Sequence, residues 1–116
     1  MSLQWEAIVV NALDPDALGR WWAAALGWET GLDEDGDLTV VSPSDSAPDL
    51  LFATVPESKA GPNRLHLDFR PDDQAAEVQR LPNLGATHTD VGQGEQTWVV
   101  LADPEGNEFC VPSARP

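Results

Sequence analysis

Four side chains in the second half of the chain have the types that carry chemistry: His66, Asp68, Glu108 and Cys110. From Arg64 to Phe69, Leu65, Leu67 and Phe69 alternate with Arg64, His66 and Asp68, the pattern of a strand with one polar face. The apolar set is expected to face a helix, which sends Arg64, His66 and Asp68 into a concavity. Glu108 and Cys110 are two residues apart, so on a strand they share a face. An imidazole and a thiol point to two chemistries. Imidazole and thiolate are each ligands for a soft ion such as zinc. They do not make a site for magnesium, manganese or nickel. Alternatively the thiol is a nucleophile, which requires a depressed pKa. An acidic chain is a poor setting for that, and Cys110 otherwise reads as a small buried apolar side chain.

The composition narrows the field. The chain has 116 residues, one domain's worth, with 41% hydrophobic residues. Twenty acidic residues against six basic ones give a net charge of -14. Polyanions are repelled by such a chain, so nucleic acid and anionic membrane surfaces are not expected partners. The charge serves solubility, or attracts a cationic ligand. No apolar run approaches the ~20 residues of a membrane helix. One cysteine rules out an intrachain disulfide. The N-terminus shows no basic and apolar leader, so the cytoplasm is the expected compartment.

The elements that must position these groups come in two similar halves. A shift of 58 residues aligns Asp14 with Asp72, Leu26-Gly27 with Leu84-Gly85, Gly36 with Gly94, Thr39 with Thr97, Val41 with Val99 and Asp45 with Asp103. Trp5 to Ala12 reads as a buried strand. Asp14-Pro15 then caps and starts a helix. Leu18, Trp21, Trp22, Ala25 and Leu26 share one helical face, and Gly27 ends it. Strands follow at Trp28 to Leu32, Leu38 to Ser42 and Leu50 to Val55, with Asp35-Gly36 as a hairpin turn. The second half repeats this order. Pro71-Asp72-Asp73 starts a helix that Pro82 should kink or end. Strands are expected at Thr87 to Val91, Thr97 to Ala102 and Asn107 to Val111, with Asp103-Pro104-Glu105-Gly106 as a tight turn. Repeat one spans about 3–57 and repeat two about 62–113, within a single domain.

Asp14-Pro15 through Trp21-Trp22 to Leu26-Gly27-Trp28, Arg64 to Asp68, Leu84-Gly85-Ala86, and Trp98 through Asp103 to Cys110 together resemble the vicinal oxygen chelate superfamily. That group holds glyoxalase I, the fosfomycin- and bleomycin-resistance proteins and the extradiol dioxygenases. The likeness is greatest to its glyoxalase-like domain proteins. It implies an α+β fold in which two βαβββ repeats form a curved eight-stranded half-barrel. The family's enzymes hold a divalent ion with three or four His, Glu or Gln side chains. Carried over by position, the resemblance puts ligands at His66, at Ala7, which has no donor, and at Cys110 in place of a glutamate; a His66–Cys110 pair with a third ligand from Glu108 or Asp68 would suit a soft ion such as zinc. It pairs Cys110 with Phe52 in the first repeat.

The resemblance therefore implies a small-molecule binder without the usual metal site. Trp98, Phe52 and Val9 are its expected apolar wall, and Asn11, His66, Asp68, Glu108 and Cys110 complete the lining. The ligand is expected to be cationic or aromatic. No cofactor is expected. The alternative is a metal-dependent lyase or isomerase with a non-standard ligand set around His66. A homodimer is expected, with Trp21 and Trp22 near its contact.

Overall fold

The computed structural model describes residues 2–45, 47–89 and 97–113. The chain divides into two compact units, Met1–Ser58 and Lys59–Pro116.

The first unit runs β1 (Ala7–Ala12), α1 (Pro15–Leu26), β2 (Glu29–Leu32), β3 (Leu38–Val41) and β4 (Asp49–Thr54). Its sheet has the order β1-β4-β3-β2, with β1 parallel to β4 and the remaining pairs antiparallel. Asp14 caps α1: its carboxylate accepts the Ala17 amide at 3.1 Å, and Pro15 opens the helix without wasting a donor. Gly27 closes it at φ 70°, a left-handed conformation that a Cβ would penalise. The core forms where α1 meets the sheet. Leu18, Trp22 and Ala25 come from the helix, and Leu38, Val40, Leu50 and Phe52 from the strands. Full burial of one such large side chain is worth roughly 1.5–3 kcal/mol. Gly19 lets helix and sheet approach, because a Cβ there would run into Leu38 and lie 3.1 Å from Phe52 Cδ1.

The second unit runs β5 (Leu67–Asp68), α2 (Gln74–Leu84), β6 (Thr87–His88), β7 (Val99–Ala102) and β8 (Glu108–Val111). Its sheet order, β5-β8-β7-β6, and its single parallel pair, β5 with β8, reproduce the first unit. Asp73, not Asp72, is the cap, accepting the Ala76 amide at 3.1 Å. Equivalent caps therefore lie one residue further apart than the 58-residue shift allows. With the caps aligned, Cys110 corresponds to Leu51, not Phe52. The matches at Thr39, Val41 and Asp45 also fall out of register. Glu29 pairs with Val41, whereas Thr87 pairs with Ala102, so the connection ahead of β7 is longer in the second repeat.

Other expectations need correction. The strand expected at 64–69 is reduced to Leu67–Asp68, and Leu65 is exposed rather than packed under a helix. Pro82 does not end α2. The helix runs two residues past it, and Gly85 at φ 126° ends the helix. The strand expected at Thr87 to Val91 is paired at Thr87–His88, and Asp90 and Val91 lie outside the described residues, as does Gly94.

The hairpin turns at Asp33–Asp37 and Asp103–Asn107 are built alike. In each, the leading aspartate's Oδ1 accepts amides two and four residues on, at 3.0 and 2.8 Å in the first turn and 2.9 and 2.9 Å in the second. The fourth residue is a glycine at φ 83° or 88°. Asp103 is thereby a buried turn former.

Candidate functional site: the polar face of the second sheet

Register settles which side chains share a face. Asp68, Cys110 and Val100 are partners across β5, β8 and β7, and Glu108 pairs with Ala102 two residues along. The opposite face carries Leu67, Phe109 and Leu101, and the ring of Phe69 meets that of Phe109 at 6.2 Å. The expected alternation thus holds across β5: Leu67 on the apolar side, Asp68 on the polar side. His66 is exposed one residue before β5, and Trp98 is 38% exposed one residue before β7.

Cys110 is buried beside Asp68. Burial pushes its thiol pKa up, and the charge of Asp68 and the hydrogen bond to its carboxylate push the same way. A raised pKa is the reverse of what a nucleophilic thiol needs.

Glu108 is also buried, at 7% exposure. Its carboxylate is already engaged. Lys59 Nζ lies 2.8 Å from Oε1, and the Asn63 amide donates to the same oxygen at 3.1 Å. Burial raises the pKa of Glu108, but the bonds from Lys59 and Asn63 and the lysine's charge outweigh it and hold the carboxylate below its usual range. Neither Lys59 nor Asn63 was singled out from the sequence. The available signal was a glutamate inside an otherwise apolar strand, which requires a cation, and the chain's one lysine. Gln74 was missed as well. Its carboxamide donates to the carbonyls of Thr97 at 2.8 Å and Val111 at 2.9 Å, tying the start of α2 to the residue before Trp98.

Asn11 and Phe52 belong to the first unit and occupy opposite faces of its sheet. Asn11 is exposed and paired with Ala53. Phe52, paired with Val10, is fully buried against α1 near Gly19, so it is core and not cavity wall. Val9, on the Asn11 side, is exposed.

A glyoxalase-like domain family model matches residues 7–112. The chain belongs to that family. Two of its structural neighbours are members of the glyoxalase/bleomycin resistance/dioxygenase superfamily. A family enzyme from Burkholderia phytofirmans PsJN superposes with a TM-score of 0.72 at 16% identity, covering 95% of this chain and 98% of that one. A superfamily member from Sphaerobacter thermophilus gives 0.71 at 16% identity, covering 97% and 99%. The oxidase ChaP-H2 gives 0.71 at 20% identity, covering 100% and 96%. No curated protein matches the sequence. These likenesses establish the fold.

Ala7 has no donor atom, the Cys110 thiol lies beside Asp68, and Glu108 is paired with Lys59. Among the described residues, no three His, Cys, Asp or Glu side chains come together as a metal ion would require. No described helix is long and apolar enough to cross a membrane.

Proposed function

We propose that this glyoxalase-like domain binds a cationic, aromatic small molecule on the polar face of its second sheet, without the family's divalent metal. The observation that carries the reading is the Asp68–Cys110 pair, an exposed carboxylate beside a buried thiol on this face. Asp68 is exposed and offers a carboxylate to a cation. Trp98 offers an exposed ring, and a cation over an indole face gains about 0.5–2 kcal/mol. The net charge of -14 raises the local concentration of cations. Glu108 does not take part, because Lys59 occupies it.

The test is a tryptophan-fluorescence titration with phenyltrimethylammonium, using benzyl alcohol and benzoate as neutral and anionic controls. Saturable quenching by the cation alone, weakened in Asp68→Asn and Trp98→Phe, supports the reading. No saturable response to the cation, or equal responses to all three, contradicts it.

A further inference from the structure

The segment that opens the second unit is fastened to β8 through one residue. Lys59 Nζ bonds Glu108 Oε1 at 2.8 Å and also donates to the Gly61 carbonyl. The Asn63 amide donates to Glu108 Oε1 at 3.1 Å, and its side-chain amide reaches the Glu108 carbonyl at 3.4 Å. The flanking chain is otherwise weakly held. Ala60, Gly61 and Pro62 are exposed, as are Arg64, Leu65 and His66. Residues 55–66 form neither helix nor strand.

We infer that residues 59–63 are a strap over the polar face of β8, latched by the Lys59–Glu108 charge pair, and that releasing the latch uncovers Glu108 without unfolding the sheet. An unpaired carboxylate cannot stay buried at low cost. When Lys59 lets go, the carboxylate must gain water, and the segment above it is the part that can move. The sheet beneath is held by its own ladder and by the buried row Leu101 and Phe109. Closed, the strap leaves Asp68 as the exposed carboxylate on this face; open, it presents two. The strap stands on the ion-pair geometry and is independent of whether the face binds phenyltrimethylammonium.

Amide hydrogen exchange, read residue by residue by NMR on the full chain, tests this. In Lys59→Met, exchange at the Asn63 amide is expected to rise roughly tenfold or more, while Leu101 and Phe109 keep wild-type rates. Lys59→Arg, which retains the charge, should restore protection. Glu108→Gln, which keeps an acceptor for Asn63 but removes the charge, should behave as Lys59→Met does, and stands in for it if that variant does not fold. Unchanged exchange at Asn63 in the charge-removing variants would overturn the inference. So would a rise at Leu101 and Phe109 equal to that at Asn63, since the pair would then support the whole unit.

Discussion

Asp68 and Cys110 are register partners on neighbouring parallel strands, and the carboxylate accepts the hydrogen of the buried thiol. The pairing makes Cys110 a donor to Asp68 instead of a thiolate. A raised thiol pKa opposes the thiolate that a nucleophilic mechanism would need.

Cys110 is accordingly expected to react slowly with a disulfide reagent at pH 7 to 8. Asp68→Asn removes the negative charge that opposes thiolate formation, so the modification rate at pH 8 should rise several-fold. Asp68 is exposed and solvent screens part of its effect, which keeps the increase modest. A wild-type rate equal to that of a free cysteine peptide would contradict this pairing.

Glu108 predicts an acid-sensitive step in stability. Its folded pKa is depressed, so its contribution is fully present above the unfolded value of about 4.3 and is lost as pH falls through the lower folded value. Urea midpoints measured from about pH 5 to 3 should fall more steeply for wild type than for Glu108→Gln. Parallel slopes would show that Glu108 does not titrate in this way.

The two repeats make a sharp prediction about caps. Asp14→Ala and Asp73→Ala should each cost about 1 kcal/mol, read as a lower melting temperature. Asp72→Ala should be nearly neutral, although a 58-residue shift aligns Asp72 with Asp14. A large loss at Asp72 and none at Asp73 would reverse the alignment of the halves.

Phe52 and Trp98 should separate stability from binding. Phe52→Ala empties a fully buried site and should cost about 3–5 kcal/mol. Phe52→Leu should keep the fold and leave phenyltrimethylammonium affinity unchanged. Trp98→Ala should weaken that affinity with little change in melting temperature, since its ring is 38% exposed. Urea unfolding and fluorescence titration read the two effects.

Local chemistry explains what the sequence made legible. The helix starts at Asp14 and Asp73, the stops at Gly27 and Gly85, and the turns led by Asp33 and Asp103 each depend on a few neighbouring residues. Alternation likewise put Glu108 and Cys110 on one face of their strand and Asp68 on the polar side of its own, and pairing joins the two. The depth of the first unit was not legible. Val9 and Phe52 are both apolar strand residues, and only pairing shows that they face opposite ways. Nor was the Lys59–Glu108 bond, which joins an irregular segment to a strand far along the chain. Pro82 marked the end of α2 to within two residues, since the helix stops at Leu84.

The metal content of untreated protein tests the central proposal most directly. Purified without chelator and analysed by plasma mass spectrometry, the chain is expected to carry far less than one ion of zinc, nickel, manganese, cobalt or iron. Its melting temperature should not respond to adding them. One tightly held ion per chain, lost in His66→Ala, would contradict a metal-independent binding domain and place the protein among the family's metalloenzymes.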